Sequence, residues 1–221
     1  MAQAHTGRPP ASPQRAGVQP VGSAPAALVS LGGFGGMSSK AAAAAQPQVQ
    51  CEVHKDAVVC SDAKVLGVGG IKIGEGTVVH PACLIHAKVG PIVIGAFNIL
   101  EEQVEITNTS TEPLVIGDHN TFEVGSKVLG GGSRIGNANI FECRSQLGGG
   151  VVVADGCTVG ACAKVPDGES LPDETVLVGP PGLRHHEPGA KEAHVQAVKK
   201  LVDVLRDTLP RCHHLRKTTK A

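Results

Sequence analysis

The chain has 221 residues, a formal net charge of zero, no Trp or Tyr, and four Phe. A balanced charge gives no overall pull toward nucleic acid or a membrane surface, and no apolar run is long enough to cross a bilayer. So few rings argue against an ordinary globular core, whereas 29 glycines and 15 prolines suit a chain that turns often.

Residues 1–50 contain no Asp or Glu and are rich in Ala, Gly, Pro, Ser and Gln, ending in the run Ala41 to Ala45. Such a stretch has too little patterned hydrophobicity to offset chain entropy, so it is expected to be a disordered, low-complexity extension. An acid-free stretch with Arg8 and Arg15 also fits an organelle transit peptide, but those are richer in Arg and Ser. Disorder is the better reading.

From Val53 to about Gly179 the chain places one aliphatic or Phe residue every six positions. From Ile135 the beat holds through Phe141, Leu147, Val153, Val159, Val165, Leu171 and Leu177. A six-residue period matches neither a helix nor an alternating strand, but it matches hexapeptide-repeat β-solenoids. Upstream the beat slips after Val65, Ile85, Ile106 and Val128, each time after a third hexad. The extra residues are Ile71–Lys72, Pro91–Val93, Glu112–Val115 and Arg134. If three hexads make one triangular coil, all four insertions fall at one corner. The spacing therefore predicts an all-β solenoid over 51–182, a parallel β-helix of about six to seven coils stacked roughly 4.8 Å apart.

Three inward columns follow: Val53, Ile73, Ile94, Ile116, Ile135, Val153 and Leu171; then Val59, Val79, Leu100, Phe122, Phe141, Val159 and Leu177; then Val65, Ile85, Ile106, Val128, Leu147 and Val165. Gly74, Gly95, Gly117 and Gly136 each follow a member of the first column, where a Cβ would obstruct a tight corner. Three residues further on, Thr77, Asn98, Asn120 and Asn139 are expected to stack as a polar ladder. Residues 183–221 form a separate C-terminal part. Val195, Val198, Leu201, Val202, Leu205 and Leu209 have helical spacing, with the start near Ala190, the stop at Pro210, and a short basic tail beyond. That helix is expected to lie along one face of the prism or to cover its open end.

The chemistry is sparser. Seven cysteines without a CxxC pair point to free thiols in a reducing compartment. Hexapeptide β-helices often serve acyltransferases or γ-class carbonic anhydrases, so an enzyme is the alternative to weigh. Zinc needs about three converging His, yet the register sends His80 and His86 to different faces and His119 to a corner. An acyltransferase needs one placed general base, for which His80 is the candidate. The most unusual polar feature is Glu101, Glu123 and Glu142, each directly after a second-column residue. Stacked like charges repel, and nothing in the repeat alone demands them. The stripe is thus a candidate docking surface for basic residues of a partner.

Particular runs are more specific than the period. Gly90-Pro91-Ile92-Val93-Ile94-Gly95, Asn98-Ile99-Leu100-Glu101-Glu102-Gln103, Phe122-Glu123-Val124-Gly125, Gly156-Cys157 with Gly160-Ala161-Cys162, and His213-His214-Leu215 with Lys217-Thr218 resemble the dynactin subunit 6 family. The likeness spans about Val53 to Lys220. The middle loop at Thr107–Pro113 is shorter than the family's, and the tail lacks a Ser/Thr-Pro pair. The resemblance implies a left-handed β-helix and a non-enzymatic role in the pointed-end complex of dynactin. Its implied partners are dynactin subunit 5, the other pointed-end subunits including the actin-related protein at the filament end, and, indirectly, cytoplasmic dynein with its adaptors and cargo. It implies the cytoplasm, the cytoskeleton and the kinetochore as locations. It implies no catalytic residue, cofactor or metal, no nucleic acid and no membrane insertion.

Overall fold

A computed structural model describes residues 50–179 and 182–216. All of the predicted extension except Gln50, and the end of the basic tail, lie outside those residues. Short strands stack into three sheets of seven, eight and six members around one interior. Every pairing but one is parallel, and consecutive members of a sheet are one coil apart. Six complete coils and two sides of a seventh result.

The register reproduces the three predicted columns. Val53, Ile73 and Ile94 lie opposite one another in the first sheet, continuing through Ile116, Ile135, Val153 and Leu171. The second and third columns run likewise through their own sheets. Phe122 and Phe141 are fully buried and stack inside the prism with centroids 4.6 Å apart. The insertions lie on one side, where they lengthen the entry to the first sheet. Its strands Ile71–Ile73, Ile92–Ile94 and Leu114–Ile116 have three residues, but Arg134–Ile135 and Val152–Val153 have two.

Corner glycines act by close approach. At Gly117 a Cβ would sit 2.7 Å from the Gly136 carbonyl oxygen and 2.5 Å from Asn137 Oδ1. The left-handed positions lie two residues further on and are held largely by other residue types, as at Phe97 (φ 54°), His119 (φ 59°) and Ala138 (φ 57°). Arg144 is another, exposed and at φ 57°. A left-handed L-residue costs about 1–2 kcal/mol, and glycine's greater freedom when unfolded offsets about half of that. Arg144→Gly is therefore expected to stabilise the prism by about 0.5–1 kcal/mol. A lower urea midpoint in that variant would contradict this.

The buried ladder forms as expected. Asn98 N donates to Thr77 Oγ1 (3.2 Å), Asn120 N to Asn98 Oδ1 (2.9 Å), Asn139 N to Asn120 Oδ1 (2.9 Å), and Cys157 N to Asn139 Oδ1 (2.7 Å). Each side chain thus satisfies a backbone N–H that the sharp corner leaves without a carbonyl.

After the seventh coil the chain reverses. Leu183–His186 pairs antiparallel with Thr175–Val178 and closes that edge of the second sheet. This strand was not foreseen, because Leu183-Arg184-His185-His186 has no buried side and hence no hydrophobic period. Helix α1 (Ala190–Cys212) then runs back over the same sheet. At 23 residues it is about 34 Å long, close to the height of the coil stack. It lies along a face, the first of the two predicted placements. Val198, Val202 and Leu209 bury against Val58, Val78 and Ile99, with Phe97 and Leu205 packed beside them. Burying each such side chain is worth about 1.5–3 kcal/mol, against at most about 1 kcal/mol for partly exposed ion pairs such as Lys191–Asp155 and Arg206–Asp56. Packing, not charge, holds the helix. Pro210 does not stop it: the helix continues to Cys212, because a proline in the last turn loses one bond while His213 N still caps Leu209 O. The tail finally reaches the first coil, where Ser61 N donates to His214 O and Arg216 N to Val59 O, both at 2.8 Å.

Candidate functional site

Glu101, Glu123 and Glu142 stack on consecutive coils at the corner between the second and third sheets. Their amides donate in turn to Phe122 O, Phe141 O and Val159 O. All three side chains are half-buried. The view that nothing in the repeat demands them needs correction. Glu101 Oε2 accepts from Val124 N (3.1 Å), Glu123 Oε2 from Cys143 N (3.0 Å), and Glu142 Oε2 from Ala161 N (2.8 Å). Each carboxylate caps the corner amide of the next coil, which the bend turns away from every carbonyl. That bond offsets the repulsion between like charges one coil apart. Burial still pushes the Glu101 carboxyl up, opposed by the Val124 N–H and reinforced by the Glu123 charge. In each carboxylate only Oε2 takes a backbone bond among the described residues.

The other corner between the first and second sheets carries a similar device that sequence reasoning missed. Ala96 N donates to Asp118 Oδ1, Asp118 N to Asn137 Oδ1, Asn137 N to Asp155 Oδ1, and Asp155 N to Asp173 Oδ1, at 2.6–2.9 Å. The signal was there: an Asp or Asn stands two residues after Ile116, Ile135, Val153 and Leu171.

The histidines diverge as the register predicted. His80 Nδ1 pairs with Glu102 Oε1 at 2.9 Å, while its Nε2 is buried without a protein partner. That hydrogen bond to His80 holds the Glu102 carboxyl below its usual range. A general base enclosed this way offers no nitrogen to a substrate. His86 lies in the third sheet, in the strand Leu84–Ala87, and His54 is exposed beside Asp56. His119 stacks on Phe97 with centroids 5.3 Å apart, and His194 of α1 reaches Thr121 Oγ1 at 3.4 Å. Among the described residues no three His, Cys, Asp or Glu converge as metal ligands.

All seven cysteines are free thiols. Burial pushes Cys83 up to about 12 and also raises Cys51, Cys60 and Cys157. The exposed Cys143 donates to Glu123 Oε2, which raises it too. The five raised thiols favour the protonated form and are poor nucleophiles.

Burial lowers the pKa of both His119 and His194; Lys199 adds to the effect at His119 and Asp118 opposes it. Folding therefore favours the neutral rings. Their stabilisation is fully present above about pH 6.5 and is lost as pH falls below it. The urea midpoint should drop between pH 7 and 5.5, and His194→Gln should flatten that slope. An unchanged slope in the variant would contradict the assignment.

No protein-family model matches the chain. Among solved structures, a hexapeptide transferase family protein from Anaplasma phagocytophilum superposes with a TM-score of 0.64 at 15% identity, covering 73% of this chain and 94% of that one. A Bacillus cereus protein described as an acetyltransferase gives 0.63 at 18%, over 72% and 92%. Likeness at that level carries the fold alone. Dynactin subunit 6 of Xenopus tropicalis is 35% identical over 187 residues, covering 79% of this chain and 88% of that protein. Dynactin subunit 6 of Nematostella vectensis is 36% identical over 191 residues, 81% of this chain and all of that protein. With this identity over most of both lengths, on a left-handed hexapeptide β-helix bearing a C-terminal helix, the chain belongs to the dynactin subunit 6 family.

Proposed function

We propose that the chain is a non-enzymatic structural subunit of the pointed-end complex of dynactin. The observation that carries this reading is 35% identity over 79% of the chain to a relative named Dynactin subunit 6. In this reading it stands beside dynactin subunit 5 and the other pointed-end subunits, including the actin-related protein at the filament end. Through them it acts indirectly with cytoplasmic dynein and supports the engagement of adaptors and cargo. It works in the cytoplasm, on the cytoskeleton and at the kinetochore. The physical support is a rigid prism with flat faces and strand edges suited to pairing. Glu101, Glu123 and Glu142 serve as one face toward basic residues of a partner, through the carboxylate oxygens that corner capping leaves over. In this reading residues 51–182 are the scaffold, 183–221 its C-terminal helix and basic tail, and 1–50 a low-complexity extension.

The alternative, a hexapeptide acyltransferase, draws on the solved structures of similar fold. Against it stand the enclosed His80 nitrogen and a helix that occupies one prism face. Affinity capture of the full chain from lysate, with quantitation of what accompanies it, tests the reading. Dynactin subunits should come along in fixed ratio. Recovery of the chain alone, together with acyl transfer from a thioester to a small amine, would sink it.

A further inference from the structure

Helix α1 covers only part of the second sheet, and its two flanks differ. Arg206 pairs with Asp56, and Lys199 carries its charge close to His119, both at the corner between the first and second sheets. At about 100° per residue, Leu201 and Val204 lie about 140–160° round the helix from Arg206, across the buried stripe of Val198, Val202 and Leu209. They therefore lean toward the opposite corner, the one that carries Glu101, Glu123 and Glu142. Leu201 is 43% and Val204 57% exposed. With Ala197 and Thr208, also exposed, they repeat at i, i+4, i+7 and i+11, the spacing of a helix-packing face.

The sheet continues uncovered past that flank. Thr121, Ile140 and Thr158 on its outer side are half-buried, whereas Val58, Val78 and Ile99 beneath the helix are sealed. Contacts along α1 fix the levels: Lys191 meets Asp155 on the sixth coil, His194 meets Thr121 on the fourth, and Arg206 meets Asp56 on the first. The three acids, on the third to fifth coils, stand level with the exposed Ala193 and Ala197. Leu201 and Val204 lie below them. None of the three carboxylates forms an ion pair among the described residues, and Arg144 of the same corner pairs with none of them. A row of one sign beside an apolar stripe selects a cationic, amphipathic occupant.

We propose that this flank receives an amphipathic helix of a partner protein, lying alongside α1 with a row of Lys or Arg on one edge. One helical turn rises about 5.4 Å and one coil about 4.8 Å, so cations at i, i+4 and i+7 of the incoming helix meet Glu101, Glu123 and Glu142 in turn. Ala193 and Ala197 let the two helices approach closely beside those acids. Apolar side chains of the incoming helix bury Leu201 and Val204 further along. The proposal rests on the reading of the chain as an assembly subunit and adds which surface is used and the chemistry that fits it.

Binding of the full chain to purified dynactin pointed-end subunits, wild type against two variants, tests it. Leu201→Glu with Val204→Glu alters only exposed side chains. It should keep the wild-type melting temperature and bind at least about tenfold more weakly. Glu101→Gln with Glu123→Gln and Glu142→Gln keeps an acceptor for each corner amide and removes the charge. It should lose about tenfold in affinity at low salt, with the loss shrinking at high salt. Wild-type affinity in either variant would overturn the proposal. Carbodiimide cross-linking of the wild-type assembly, which joins carboxylates to amines in contact, reads the occupant. Links from Glu123 or Glu142 to lysines three or four apart in one helix of another subunit would support it. Links from these acids to a second copy of this chain, or to lysines outside any helix, would overturn it. A wild-type chain that joins no assembly would overturn the functional reading itself, whereas assembly indifferent to both variants overturns this proposal alone.

Discussion

Gly117→Val is expected to destabilise the prism by about 4 kcal/mol or more, among the largest effects a single substitution can have here. The new Cβ would meet the backbone oxygen of Gly136 at 2.7 Å and Asn137 Oδ1 at 2.5 Å. The backbone oxygen cannot swing aside as the end of a long side chain can. Relief needs the two coils to separate, and separation breaks the bonds from Gly117 N to Ile135 O (2.8 Å) and from Asp118 N to Asn137 Oδ1 (2.8 Å). A surface charge change such as Lys72→Glu should stay within about 0.5 kcal/mol. Equal urea midpoints for the two variants would contradict this account of the corner.

The second large effect is expected at Asn120→Ala, about 2–4 kcal/mol. Asn120 Nδ2 donates to Asn98 Oδ1 and to Gly136 O, both at 3.0 Å, and its Oδ1 accepts from Asn139 N at 2.9 Å. Truncation leaves the buried Asn139 N–H and the part-buried Gly136 carbonyl without their partner, at about 1–3 kcal/mol for each unpaired group. Thr121→Ala, one residue along but half-buried, is the control and should cost far less. The pair separates the ladder from general packing.

Much of the fold was legible because a solenoid repeats its instructions. A six-residue beat fixes which residue faces inward in every coil, and the insertions after Val65, Ile85, Ile106 and Val128 mark one corner. Thr77, Asn98, Asn120 and Asn139 were readable as a ladder because they recur at one distance from the first column. What escaped lacks such recurrence. Leu183–His186 is exposed throughout, so only a missing neighbour at the last coil makes it a strand. Phe97 on His119 occupies left-handed backbone, which an aromatic residue gives no cause to expect. The tail from His214 to Arg216 is placed by an edge some 155 positions away in the chain, a contact without a local signature.

At the candidate face the position was legible and the cause was not. Stacking of Glu101, Glu123 and Glu142 follows directly from the columns. Their bonds to Val124 N, Cys143 N and Ala161 N depend on where a corner amide points, which composition does not encode. The acids have a structural duty in capping the corner amides. A similar reversal applies to His80. It was the candidate base of the alternative reading with no motif to mark it, and the structure pairs it with Glu102 and buries its Nε2.

The most direct test of the central claim, that the chain is a scaffold subunit, is co-sedimentation of the purified full chain with purified dynactin pointed-end subunits. One copy of the chain is expected to sediment with one set of those subunits, at a single defined mass. A chain that sediments apart from them as a homotrimer and transfers an acyl group to a small amine would contradict the account.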